Sequence, residues 1–227
     1  MATSNLTRVS IALNGLILVA GLVLWSSRAT LIEVFLESRA ERKVSFFDSY
    51  AINAEDVVFL GDSITQGGLW PEIFPGIAVK NRGIGGDTTT GVLARLDQII
   101  SGQPRAVFLN IGTNDLTHGP EDRRTSYHQY RLIIERIQKN SPATSIYVQS
   151  LLPRAASYRE DIEDFNSEIQ EMANDLDVTF VNLYPHFLSS DGGIYVHLSN
   201  DELHLMGDGY QLWGQLLSPM IEPYREH

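Results

Sequence analysis

A serine hydroxyl, an imidazole and a carboxylate are the groups that acyl-transfer chemistry asks for. The chain carries them far apart, Ser63 in Gly61-Asp62-Ser63 and the other two in Asp201-Glu202-Leu203-His204. A serine hydroxyl is a poor nucleophile until a base takes its proton. Imidazole titrates near neutrality, so His204 can take and return that proton. Asp201, three residues earlier, can hold the ring in one tautomer and stabilise the imidazolium. An oxyanion further needs donors aimed at the developing charge, each worth ~3 kcal/mol. The backbone N–H groups of Ser63 and Gly86 and the side-chain amide of Asn114 are candidates, carried by Gly83-Ile84-Gly85-Gly86-Asp87-Thr88 and Gly112-Thr113-Asn114-Asp115. Singly, each residue has a plainer job: Ser63 as a helix cap, Asn114 in a turn, Asp201 as a cap, His204 on the surface. Four such pieces in this order point to a serine hydrolase.

The elements that must position these groups alternate along the chain. Strand patterns rich in Val, Ile and Phe fall near 56–60, 77–80, 106–111, 144–151 and 178–183. Helical patterns fall near 89–101, 122–139, 160–175 and 207–221, with Gln103-Pro104 and Ser141-Pro142 punctuating two helix ends. Alternating β and α with short connections predicts a mainly parallel five-stranded sheet wrapped by helices. Ser63 then lies at the carboxyl end of the first strand and Asn114 beyond the third, the edge where open α/β sheets bind ligands.

Gly61-Asp62-Ser63, Gly86, Asn114 and Asp201-x-x-His204 resemble the four blocks of the SGNH (GDSL) hydrolases over residues 54–222. Asn81-Arg82-Gly83-Ile84-Gly85-Gly86-Asp87-Thr88-Thr89, Leu151-Leu152-Pro153-Arg154 and Leu203-His204-Leu205-x4-Tyr210 resemble the branch of the platelet-activating-factor acetylhydrolase catalytic subunits and bacterial acetylesterases. The resemblance implies a flavodoxin-like three-layer α/β/α fold and ester hydrolysis through an acyl-enzyme, with no metal and no cofactor. It also implies Ser63 as nucleophile, Asp201 and His204 as its partners, and Ser63, Gly86 and Asn114 as oxyanion-hole donors. A homodimer is the assembly that the acetylhydrolase subunits would suggest. Relatives of this branch usually carry glycine where this chain has Glu202, which adds a charge beside the triad. Position 65 is Thr65, so the serine is not in a Gly-x-Ser-x-Gly elbow.

Composition narrows the partners. A formal net charge of −11 without a basic run argues against nucleic acid. The absence of cysteine removes disulfides, thiolate metal sites and a cysteine nucleophile. Residues 1–30 read as a separate object: Val9–Trp25 is apolar, with Arg8 before it and Arg28 after it. Such a helix would span roughly 26 Å, close to a ~30 Å hydrocarbon core. It fits a signal anchor, or a secretory signal cut after Ser27-Arg28-Ala29; its length favours the anchor. The expectation is therefore a hydrophobic N-terminal helix that holds the protein to a membrane with an extracytoplasmic catalytic domain, the alternative being a secreted or periplasmic enzyme. Residues 31–53 read as a juxtamembrane helix and spacer, and 54–227 as the hydrolase domain.

The expected substrate is a small-molecule, lipid or glycan ester. Trp70 and Phe74 are candidates for an acyl pocket, against a commoner role in core packing. Arg154 is a candidate contact for an anionic substrate group, against a commoner role as a surface cation. Three other functions fit parts of the pattern: acyl transfer at the same site, a glycan-binding domain without turnover, and a phosphohydrolase holding Mg²⁺ with Asp62, Asp87 and Asp115. The last leaves His204 without a job.

Overall fold

The computed structural model describes residues 13–15, 17–18, 21–22, 38–117 and 120–225. The chain divides into two compact units, Met1–Lys43 and Val44–His227. In the first, the described residues are helical. Among the described residues no helix is long and apolar enough to cross a membrane. Most of the apolar run from Val9 to Trp25, and residues 31–37 of the expected juxtamembrane helix, lie outside them.

The larger unit is built on five parallel strands: β1 (Val57–Gly61), β2 (Val79–Gly83), β3 (Ala106–Asn110), β4 (Ser145–Gln149) and β5 (Thr179–Val181), in the order β2-β1-β3-β4-β5. Parallel neighbours need crossovers, and helices supply them on both faces. The helical stretch 38–49 ends in this unit, and its residues 44–49 are labelled α1. It is followed by α2 (Ser63–Gly67), α3 (Trp70–Ile73), α4 (Thr89–Ala94), α5 (Asp97–Ile100), α6 (Pro120–Asn140), α7 (Arg159–Asp175), α8 (Tyr184–Phe187) and α9 (Gly207–Ile221).

Period-two alternation in the strands divides the core in two. Val58 and Leu60 of β1 and Val107 and Leu109 of β3 face a layer built by α4, α5, α6 and α7. Val57 and Phe59, with Ala106 and Phe108, face the layer of α3 and α9. On that second face the paired residues Phe59, Phe108 and Tyr147 form a stacked ladder across three strands, with centroids 5.0 and 4.4 Å apart.

Three expectations need correction. The strand expected at 77–80 is β2 at Val79–Gly83. The pattern was lost at Lys80-Asn81-Arg82, whose polar side chains make edge contacts rather than core. The helix expected at 89–101 is broken into α4 and α5, with the break at Arg95 and Leu96. The spacer expected up to residue 53 ends earlier, because residues 44–53 belong to the larger unit. There Phe47 and Ile52 are buried, and the Arg82 guanidinium lies 4.5 Å from the Phe47 ring centroid. Gln98 further donates to the carbonyl of Val44.

Phe47 therefore carries core weight in a segment that the sequence assigns to a linker. Phe47→Ala is expected to lower the unfolding free energy by about 3 kcal/mol, the low end for a buried phenylalanine. Urea unfolding of the two proteins measures it. A loss under about 0.5 kcal/mol would mean that α1 adds nothing to the domain.

Candidate active site

The strand order places a crevice where connections leave β1 and β3 in opposite directions, at the carboxyl edge of the sheet. Three loops meet there. The first turns directly from β1 into α2. Asp62 is the N-cap of α2, accepting the Ile64 N–H at 2.9 Å, and Ser63 is the first helical residue. An N–H at that position has no partner within the helix. Gly61 permits the sharp turn, since a Cβ there would sit 2.2 Å from the Asn110 carbonyl oxygen.

The second loop follows β2. The Asp87 N–H donates to the Ile84 carbonyl at 3.1 Å, and Gly86 between them has φ +80°. That is the signature of a type II turn, which needs glycine at its third position. A Cβ on Gly86 would meet nothing within 4 Å, so conformation and not crowding fixes the residue. The third loop follows β3 and carries Asn114, whose Nδ2 donates to the Asp87 carbonyl at 2.8 Å.

His204 reaches this crevice from the far end of the chain. Its Nε2 lies 2.9 Å from Ser63 Oγ, and its Nδ1 lies 2.7 Å from Asp201 Oδ2. An ionised carboxylate only accepts, so Nδ1 carries the proton and Nε2 presents its lone pair to the serine. Asp201 Oδ1 also accepts the backbone N–H groups of His204 at 2.7 Å and Leu203 at 3.1 Å. Partial burial pushes the Asp201 carboxyl up, but the bonds from the His204 ring and these N–H groups outweigh it and bring it to about 2. The loop that carries the pair is pinched by an antiparallel bridge between Ser199 and Leu205. Glu202 at its tip has φ +61°. That is the left-handed conformation glycine takes without cost.

The expected residues Ser63, Asp201 and His204 thus come together. Trp70 and Phe74 do not join them. Trp70 is fully buried, stacked 4.0 Å from the Phe59 ring, and its Nε1 donates to the Thr65 carbonyl. Phe74 is buried in the same aromatic layer and borders a groove of about 550 Å³ between α3 and α9 that none of the three residues lines. Arg154 stacks over Tyr158 at 3.8 Å and donates to the Thr113 carbonyl at 3.2 Å, next to Asn114. Asp62, Asp87 and Asp115 turn to separate protein partners, and among the described residues no group of three His, Cys, Asp or Glu is spaced to hold a metal ion.

Sequence reasoning missed the buried framework. Arg95, on an otherwise apolar helical stretch, pairs with Asp87 at 2.8 Å and donates to the carbonyls of Gly61 and Arg82. Its signal was a lone arginine between Val92, Leu93, Leu96 and Ile99, where a surface helix would show charge on the opposite face. Asp115 accepts the hydroxyl of Thr89 at 2.6 Å and its N–H at 3.1 Å, tying the Asn114 loop to α4. Asp62 is wholly buried with Oδ2 unpartnered. Burial, reinforced by the charges of Asp87 and Asp115 against the pull of the Ile64 N–H and His204, raises its carboxyl to about 7.

Comparison with known proteins agrees with this fold. Residues 59–212 match the model of the GDSL-like lipase/acylhydrolase family. The chain is 32% identical over 166 residues to platelet-activating factor acetylhydrolase IB subunit alpha1 of Rattus norvegicus, covering 68% of this chain and 70% of the relative. A solved structure from Streptococcus pneumonia, assigned as a platelet activating factor, superposes with a TM-score of 0.79 at 26% identity, over 86% of this chain and 99% of the other. A GDSL-like lipase from Bacteroides thetaiotaomicron shares the fold with a TM-score of 0.73 at 24% identity, over 82% and 98%.

Two outcomes follow from the strained and the buried acid. In the folded protein Asp62 keeps its proton up to about 7, whereas in the unfolded chain it ionises near 3.8. The native state then binds the extra proton across that window, so this residue makes stability fall as pH rises from about 4 to about 7. Asp62→Asn, which still offers an acceptor to Ile64, should gain melting temperature relative to wild type as pH is raised through the window; a constant difference would contradict the assignment. Glu202→Gly should raise the urea-unfolding free energy by about 0.5–1 kcal/mol through relief of the left-handed strain. A loss of stability would show that the Glu202 side chain makes a compensating contact.

Proposed function

The chain belongs to the GDSL-like lipase/acylhydrolase family and is a carboxylic ester hydrolase, and on that premise we propose that Ser63, His204 and Asp201 carry the reaction through an acyl-enzyme. The observation behind this is the unbroken relay from Ser63 Oγ to His204 Nε2 at 2.9 Å and from His204 Nδ1 to Asp201 at 2.7 Å. Ser63 Oγ attacks the acyl carbon while His204 Nε2 takes its proton. The negative charge that develops on the carbonyl oxygen is met by the Ser63 and Gly86 N–H groups and the second N–H of Asn114 Nδ2. The first N–H of that amide is spent on Asp87, which aims the other. His204 then returns the proton to the departing alcohol. Water, deprotonated by the same nitrogen, releases the acid and restores Ser63.

No step needs a metal or cofactor. The acetylhydrolase activity in the relatives' names supports short acyl groups, acetyl above all; the alcohol we propose is that of a lipid or a glycan. Arg154 is assigned to the support of the Asn114 loop, where its stacking and its bond to Thr113 hold it. Attachment to a membrane rests on the apolar run from Val9 to Trp25 alone.

The test compares wild type with Ser63→Ala on p-nitrophenyl esters from acetate to long acyl chains, with and without a chelator. Loss of a serine nucleophile should cut kcat by a factor on the order of 10⁴–10⁶, with wild type indifferent to chelator and fastest on acetate. Retention of full activity by a folded Ser63→Ala protein would falsify the assignment.

A further inference from the structure

The Gly86 N–H is presented by a tight turn from Ile84 to Asp87. Gly85 and Gly86 are consecutive glycines, and the peptide between them can flip at little steric cost. Its ends are fixed to the framework. The Ile84 N–H donates to the Gly61 carbonyl at 3.1 Å, and Asp87 is gripped by Arg95 and Asn114. Between those ends, one side chain among the described residues bonds the turn: Gln66 Oε1 accepts the Gly85 N–H at 2.6 Å.

Gln66 lies three residues after Ser63 on α2, so the two side chains share a helix face. Its backbone is held tightly. Its N–H donates to the Asp62 carbonyl at 2.9 Å, and its carbonyl accepts Asn81 Nδ2 at 3.1 Å. The same Asn81 bonds the Thr65 and Gly68 carbonyls, tying the end of α2 to β2. A Cβ on Gly83 would lie 2.2 Å from the Gln66 nitrogen, so strand and helix backbones touch there. The Cβ position of Gly85 lies 3.4 Å from Gln66 Oε1 and 3.8 Å from Ser63 Cβ. The nucleophile, the glutamine and the turn are therefore mutual neighbours.

We infer that Gln66 is a positioning residue for catalysis: by accepting the Gly85 N–H it holds the Gly85–Gly86 turn in register with the nucleophile helix, so that the Gly86 N–H faces the oxyanion. The inference rests on the assignment of Ser63 and Gly86 above. It assigns Gln66 no contact with substrate. Its effect passes through one donor and belongs to the transition state, where the oxyanion exists, and not to substrate binding.

The experiment replaces the acceptor in the full chain with Gln66→Met and, beside it, Gln66→Ala, and follows p-nitrophenyl acetate hydrolysis. Both variants should lose about 10- to 100-fold in kcat, less than the ~10²–10³ lost with an oxyanion donor itself. KM should stay within about two-fold, as expected when an interaction confined to the transition state is lost. In a Gly86→Ala background, where the donor is already misdirected, adding Gln66→Met should cost less than about two-fold. An unchanged kcat, a change confined to KM or melting temperature, or the same loss in both backgrounds would overturn the inference. Ser63→Ala run in parallel separates the two failures. If it is inactive while Gln66→Met keeps its kcat, only the role of Gln66 falls; if Ser63→Ala is active, the serine mechanism falls first.

Discussion

One buried cation holds the carboxyl edge of the sheet together. Arg95 sits almost wholly out of solvent, and its guanidinium donates to the Asp87 carboxylate and to carbonyls at the ends of two adjacent strands, Gly61 closing β1 and Arg82 one residue before the end of β2. Those three acceptors mark the exit to the turn that carries Ser63, the end of β2 and the loop that carries Gly86. Burial pushes the guanidinium pKa down and the Asp87 carboxyl up, and each partner's charge opposes that shift in the other. A desolvated pair of this kind is poor evidence of net stabilisation, since the cost of removing both charges from water is large. Its value lies in direction: a planar donor fork fixes three acceptors at set angles, which an apolar side chain of equal volume could not do. The break between α4 and α5 falls at this residue, and the helix gives up regularity where its arginine turns inward.

Around that clamp the acids are sorted by environment. Asp201, about half exposed and bonded by ring and backbone donors, is held below the usual carboxylate range. Asp62, beside the nucleophile but sealed from solvent, holds its proton close to neutrality. Two carboxyl groups near one histidine thereby titrate far apart, and the environment, not the residue type, sets the difference. Asp87 has its own cation and Asp115 its own hydroxyl and N–H donors, so neither is free to compete.

How much of this was legible follows from which interactions leave a local trace. The strands β1 and β3 are fully buried apolar runs, and both were found, together with the residues at their carboxyl ends. Period reading failed on β2, because Asn81 and Arg82 spend their side chains on α2 and on the Tyr50 carbonyl. Ser63, Gly86, Asn114, Asp201 and His204 were legible as types in order, although nothing local in Gly-Asp-Ser foretells that Asp62, and not Ser63, caps the helix. Gln66 was invisible and Arg95 left only the trace of a lone arginine on an apolar stretch, since the hydrogen-bond partners of each lie distant in sequence or beyond a turn. Trp70 and Phe74 were weighed between core packing, the commoner role, and an acyl pocket; three-dimensional stacking places them in the core.

That stacking explains how two halves of the site, 141 residues apart, meet at hydrogen-bond distance. The Ser63 half is fixed to the sheet by β1, β2 and Arg95. The His204 half hangs on a loop leading into α9, and the loop reaches the core through Leu198 and Leu205. Trp70 stands between them: its Nε1 holds the Thr65 carbonyl of α2, while its ring meets Trp213 of α9 edge-on at 5.0 Å. Tyr210, also on α9, donates to the Ile64 carbonyl at 2.8 Å. The indole thickness and these two hydrogen bonds therefore set the gap between α2 and α9, and with it the approach of His204 to Ser63. A fully buried residue thus bears on the distance between Ser63 and His204, because packed aromatic layers have few alternative spacings.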